Sequence, residues 1–326
     1  MEYRDFGRTG LRVSEIGFGC WAIGGDAMVG GTAIGWGPAD DAVSRRAIYT
    51  ALDEGINFFD TADIYGLGHA ESLLGRVLSG YPDVVIATKV GNVSRNGQFS
   101  FDYRKHYILE ACDESLKRLN RETIDYYQLH TARVSHLEQE EAIEAMEVLQ
   151  QQGKIRHWGL SLNTFAPFPE ADYMITHKKG EGLQLVLNIL NRIALPLLEK
   201  ASAAGYGIIA RMPLQFGLLT GKFDQGVNFQ TSDHRKKRLT PEVVSATAAA
   251  LEPLWPLCEA YSMTKTQLAL SYVLSHRAVS TVIAGMRTPE QVRGNCRNIR
   301  PLEEEAVRQI EATDFSAVME LIRQQG

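Results

Sequence analysis

A chain of 326 residues with 44% hydrophobic and 22% charged side chains has the composition of a globular protein, not of a disordered or membrane-spanning one. Its 34 basic against 39 acidic residues leave a formal charge of -5, and no basic run is long enough to follow a nucleic-acid backbone, so nucleic acid is not an expected partner. The charged N-terminus, the lack of any apolar stretch near 18 residues, and four scattered cysteines without CxxC spacing predict reduced thiols in the cytoplasm, with no membrane partner and no metal site.

In chain order, "YRDFGRTGLRVSE" predicts a hairpin over residues 1–14 turning at Thr9-Gly10, suited to plug the floor of a barrel. Eight apolar, β-branched-rich runs follow, at 14–20, 56–62, 84–90, 124–130, 157–163, 183–190, 206–213 and 280–286. Helix-period segments lie between most of them. Ala47, Ile48, Ala51 and Leu52 share one face, with Ser44 placed to cap that helix and Gly55 to end it; Ile108, Cys112, Leu116 and Leu119 repeat at four and three. Strands separated by helices imply parallel neighbours, because such strands need a crossover of a dozen or more residues. Eight units close most simply into a (β/α)8 TIM barrel, a single domain over 1–326. The spacing fails once, between the seventh and eighth runs, where a long mouth loop at 214–240 and an extra helix must fit.

Carboxyl ends of barrel strands converge on one mouth. Asp60 ends the second run, Lys89 the third and His130 the fourth, with Tyr65 just beyond Asp60. Strands about 4.8 Å apart bring such side chains within reach of each other. A phenol normally keeps its proton until pH ~10, and a neighbouring ammonium is expected to lower that value. Asp60 would hold Lys89 charged, and His130 would donate to a substrate oxygen, an arrangement suited to protonating a carbonyl as it accepts hydride. Singly, each residue is also an ordinary ion pair, core histidine or loop aromatic; the convergence of four carries the reading.

The usual dinucleotide fingerprint is absent, since "GFGCWAIGG" misses the GxGxxG spacing. Cofactor contacts are expected instead at Ser161, at Gln184, in "PLQFGLLTGK" (213–222), and at Thr288-Pro289-Glu290, where a helix start favours an anion and Arg287 lies alongside. The "RKKR" at 235–238 is either a solvated face or a contact for phosphates of a small ligand.

Taken in order, "MEYRDFGRTGLRVSEIGFGCWAIGG", "ALDEGINFFDTADIYG", "VVIATKVG", "ESLKRLNRETIDYYQLH", "GKIRHWGLS", "GLLTGKF" and "VIAGMRTPEQVRGN" resemble the aldo-keto reductase superfamily nearly end to end. The resemblance implies a barrel that binds NADPH across its mouth without a Rossmann domain, with NADH a weaker possibility, and a small-molecule carbonyl as substrate. It places the catalytic tetrad on Asp60, Tyr65, Lys89 and His130, with Tyr65 as the general acid in reduction. It implies cofactor contacts from Trp21, Ser161, Gln184, Arg211, Pro213, Leu214, Gln215, Gly217, Leu219 and Lys222, and at the adenosine end from Gly285, Arg287, Gln291 and Asn295. Two places depart from the pattern. Ser161 is followed by Leu162, which sends Asn163 to the opposite strand face, and Arg211 stands where an aromatic residue often stacks on the nicotinamide.

Other readings use the same residues. GxxxGxG and YxxxK patterns occur at Gly31, Gly35 and Gly37 and at Tyr261 to Lys265, but those glycines do not join a strand to a helix, and Pro38 follows at once. "GLSLN" falls one glycine short of a nucleophile elbow. A Schiff-base aldolase would use Lys89 as nucleophile. An auxiliary, cofactor-sensing subunit with weak turnover is the remaining alternative.

Overall fold

Every expected run becomes a strand, and each is too far from the next for a hairpin. In the computed structural model, which describes residues 1–223 and 229–325, the strands are β1 (Ile16–Gly19), β2 (Phe58–Asp60), β3 (Val85–Val90), β4 (Ile124–His130), β5 (Ile155–Ser161), β6 (Gly182–Val186), β7 (Gly207–Arg211) and β8 (Thr281–Gly285). All neighbours pair in parallel, and β8 pairs with β1 to close the barrel. This is the expected (β/α)8 TIM barrel. Its main helices are α1 (Asp41–Asp53), α2 (His69–Leu78), α3 (Lys105–Leu119), α4 (Glu141–Gln151), α5 (Phe168–Thr176), α6 (Leu195–Ala203), α7 (Pro241–Leu251), α8 (Lys265–Ser275), α9 (Pro289–Cys296), α10 (Glu304–Ala312) and α11 (Ser316–Gln324).

Helix ends follow from side-chain chemistry. Asp40, not Ser44, caps α1: its carboxylate accepts from the amides of Ala42 and Val43 at 2.7 and 3.2 Å. Ser44 lies one turn inside the helix. The buried apolar period begins only at Ala47, and the largely solvated first turn carried no pattern to mark it. Gly55, just past the end of α1, takes φ 86°, a left-handed conformation that other residues resist. At the other end of the chain Thr288 caps α9 by accepting from the Gln291 amide, with Pro289 in the first turn as expected.

Strand parity fills the barrel. Phe58, Val85, Ala87, Tyr126, Ile209 and Ile283 form an interior cluster with Phe6 and Val13 from the N-terminal hairpin, whose ladder pairs Tyr3–Asp5 with Arg12–Ser14. Phe6 is the plug, lying 4.9 Å from the ring of Tyr126. Room for it comes from glycine: a Cβ on Gly207 would collide with the Phe6 ring, and one on Gly182 or Gly159 with the Tyr126 hydroxyl. Two residues further along each strand the same face reaches the mouth, which delivers Asp60, Lys89, Gln128, Ser161, Gln184 and Arg211 to one layer.

Between β7 and β8 the chain forms a 3₁₀ segment at Gln215–Thr220, a single turn at Arg235–Arg238, α7, a short helix at Pro256–Ala260 and then α8. The gap therefore holds more helix than the one extra element expected. Of the segment 214–240, residues 224–228 lie outside the described residues.

Candidate active site

Interior parity places Asp60 above Phe58 and Lys89 above Ala87, both without appreciable exposure, so an acid and a base share a dry layer and have to satisfy one another. The Lys89 ammonium does so fully. Its Nζ lies 2.6 Å from Asp60 Oδ1, 2.7 Å from the Thr61 carbonyl and 3.3 Å from the Tyr65 hydroxyl, one acceptor for each hydrogen. Burial pulls the Lys89 pKa down, but Asp60 and Tyr65 outweigh it and leave the group above its ordinary value. The second Asp60 oxygen accepts from Gln184 Nε2 at 2.8 Å and from Gln128 Nε2 at 3.2 Å.

Tyr65 sits in the turn after β2, wedged between rings. Trp21 stacks on it at 5.9 Å between centroids and His130 meets it edge-on at 6.0 Å. The expectation that Lys89 would bring the phenol below its ordinary pKa is corrected here. Lys89 does act in that direction, but burial acts more strongly the other way, so the net pKa is raised. His130 is held well below its ordinary value, by burial first and then by the charges of Lys89 and Arg211. It is a neutral imidazole at physiological pH. The strand end that carries it is pinned by the Tyr103 hydroxyl, which donates to the His130 carbonyl at 2.7 Å.

A cavity of about 960 Å³ opens above this layer. Asp60, Tyr65 and His130 line it, while Lys89 stays behind them, buried. Trp21, Ser161, Gln184, Arg211, Pro213, Leu214, Gln215, Gly217, Lys222, Gly285, Gln291 and Asn295 share the wall. Of the expected cofactor contacts, Thr288, Pro289 and Glu290 are not in its wall, nor are Leu219 and Arg287. The Leu219 side chain is fully buried in the core, and Arg287 turns to the loop after β1, donating to the carbonyls of Trp36 and Pro38. The "RKKR" turn divides: Arg235 and Arg238 line the cavity, whereas Lys236 and Lys237 are solvated.

Local geometry settles the two departures. β5 ends at Ser161, so strand alternation does not carry on to Asn163; that residue lines the cavity, and its Oδ1 accepts from the amides of Phe165 and Ala166 in a tight turn. Arg211 donates to the Leu162 carbonyl at 3.0 Å and to the Thr164 hydroxyl at 3.2 Å. Ser161 donates to Gln184 Oε1 at 3.3 Å, so this amide links Ser161 to Asp60.

Sequence reasoning missed Gln128, Trp36 and His234. Gln128 had a usable signal, since it precedes His130 by two and so shares its strand face. The other two had none, because they meet across the mouth: Trp36 bridges to Asp233, and the His234 ring stacks on Trp21 at 4.5 Å.

The cavity has the volume and the lining that a nicotinamide dinucleotide needs. Its wall includes Tyr65 and, from α9 behind the Thr288 cap, Gln291 and Asn295, and at Gly285 a Cβ would intrude to 3.3 Å from the Trp36 ring. An acid-backed ammonium against a phenol, a neutral imidazole and a large cleft walled in part by α9 together define a barrel oxidoreductase site. The Aldo/keto reductase family profile matches residues 15–314. The chain belongs to that family, whose members use nicotinamide cofactors on small carbonyl substrates. It is 30% identical to L-galactose dehydrogenase of Arabidopsis thaliana over 99% of this chain and 96% of that one. Among solved structures it resembles aldo-keto reductase AKR11C1 of Bacillus halodurans in its holo form, with a TM-score of 0.78 and 29% identity over 97% of both chains. It also resembles the glycerol dehydrogenase AKR11B4 of Gluconobacter oxydans, with a TM-score of 0.79 and 29% identity over 99% and 95% of the two chains. Among the described residues, no helix is long and apolar enough to cross a membrane.

Proposed function

We propose that the protein is an NADPH-dependent carbonyl reductase, equally an NADP-dependent alcohol dehydrogenase, in which Tyr65 donates the proton, Lys89 and Asp60 orient it, and His130 hydrogen-bonds the substrate oxygen. The observation that carries this is the 3.3 Å contact between the Tyr65 hydroxyl and an ammonium whose other hydrogens are taken by Asp60 and the Thr61 carbonyl. When bound, the nicotinamide supplies the hydride. Tyr65 keeps its proton, because burial outweighs the pull of Lys89, and releases it only as the neighbouring oxygen becomes an alkoxide, while the Lys89 charge stabilises the phenolate left behind. His130, neutral, offers a ring N–H to that oxygen. In oxidation Tyr65 runs the same step backwards, as base.

In this reading Ser161 and Gln184 hold the carboxamide, the 213–222 turn wraps the pyrophosphate, and Gly285, Gln291 and Asn295 take the adenosine end; their presence in the cavity wall supports it. Lys222 in the wall favours an additional phosphate, hence NADPH over NADH. The chain is read as one domain acting in the cytoplasm.

The Schiff-base reading finds no support at Lys89. An amine nucleophile needs a free lone pair, and this one is a fully buried ammonium with its pKa raised. Tyr65→Phe is the test. It should lower the rate of aldehyde reduction by about 10²-fold or more while the affinity for NADPH, followed by fluorescence, changes little. Undiminished turnover would remove Tyr65 from the mechanism.

A further inference from the structure

The polar side chains of the cavity wall at 211–217 and 234–238, Arg211, Gln215, His234, Arg235 and Arg238, are chiefly hydrogen-bond donors. Gln215 Nε2 and Arg211 Nε are buried without a partner. So is Nε2 of His234, a residue only 7% exposed. Arginine is always a donor, and Arg238 Nη1 lies 2.9 Å from His234 Nδ1, so Nδ1 accepts and the ring proton must sit on the unpartnered Nε2. Arg238 itself lies over the Phe216 ring at 5.3 Å. Neither it nor Arg211 has a carboxylate partner among the described residues; Asp233, the nearest acid on that turn, is committed to Arg235. Buried donors and guanidinium groups left in this state call for an anionic acceptor.

Position says which anion. His234 stacks on Trp21, and Trp21 stacks on Tyr65, so a chain of rings joins these donors to the phenol that reacts. We propose that Arg238, His234 and Arg211 form a subsite for a carboxylate carried by the carbonyl substrate, so that the enzyme prefers oxo acids to neutral aldehydes. This rests on the reductase reading above for its reaction, though not for its binding. A planar carboxylate matches a guanidinium fork flanked by a ring N–H, and the apolar faces of Trp21 and Phe216 keep that contact dry.

The test compares 4-oxobutanoate with its methyl ester as substrates. In the wild type kcat/KM should favour the acid by about tenfold or more, mostly through KM, and Arg238→Met should abolish that preference while Arg238→Lys restores part of it. NADPH affinity of Arg238→Met, measured by fluorescence titration, should stay within about twofold of wild type. In parallel, succinate should bind calorimetrically to the wild type loaded with NADP+, succinamide should not, and Arg238→Met should lose the succinate signal. Equal turnover of acid and ester would overturn the subsite and leave the reductase standing. Loss of NADPH binding together with both substrates in Arg238→Met would overturn it too, by assigning these donors to the cofactor's phosphates. If neither aldehyde is reduced but succinate still binds through Arg238, the subsite stands and the reductase reading falls.

Discussion

Asp60 spends both oxygens inside the protein, one on Lys89 and the other on two glutamine amides, and so leaves water little hold on the pair. That is what keeps an ammonium charged with no exposed surface, since an unpaired buried amine would simply lose its proton. The effect on Tyr65 is subtler than the residue types suggest. With burial pushing the phenol up and Lys89 pulling it down, the group stays protonated, the state that a proton donor needs before each turnover. A pH dependence follows with a definite sign. Reduction requires Tyr65 protonated, and its pKa lies above its usual value; His130 titrates well below its own. Therefore kcat/KM for reduction should stay flat from about pH 6 to about pH 9 and fall only at higher pH, as Tyr65 ionises. A limb centred near neutrality in that profile would mean that a different group donates the proton. The types and strand-end positions of all four residues were legible in the sequence. The net direction of the Tyr65 shift was not, because it depends on how completely the Trp21 and His130 rings exclude water, which no spacing encodes.

At the scale of elements, one parity rule builds both the floor and the site. A strand that turns Phe58 inward must also turn Asp60 inward, and a strand that turns Tyr126 inward must do the same with Gln128 and His130. The N-terminal hairpin closes the opposite end with Phe6, against glycines whose missing side chains make the space. Phe6→Ala should therefore cost about 3–5 kcal/mol of stability by urea unfolding, while leaving cofactor affinity unchanged, because the plug lies at the far end of the strands from the mouth. A loss well under 1 kcal/mol would show that the floor is not part of the core. The hairpin and all eight strands were readable because alternation and turn residues are local signals. The cap of α1 was misread for a matching reason: the helix begins with a solvated turn that has no apolar period, and only the contacts of the Asp40 carboxylate mark it.

The whole molecule adds what the elements lack, a cleft joined across its top. Trp36 from the loop after β1 bridges to Asp233 from the loop after β7, His234 donates its backbone amide to Gly35 at 3.1 Å, and Arg287 at the start of the α9 segment reaches the carbonyls of Trp36 and Pro38. Three stretches remote in sequence thus enclose one cavity of about 960 Å³, at the upper end of the range that small ligands fill. Such convergence leaves no periodic trace, which is why Arg287 was expected in the wall and Trp36 and His234 were not. Enclosure also serves the chemistry, since a hydride and a proton have to reach one carbonyl without passing through water. Direct transfer is thus the central claim, and it can be read from the product. With NADPH deuterated at the reactive C4 position and a simple aldehyde, the account predicts an alcohol that carries the deuterium on its carbinol carbon, formed by the wild type and slower by about 10²-fold or more in Tyr65→Phe. An alcohol without the label, or one formed equally fast by both proteins, would contradict it.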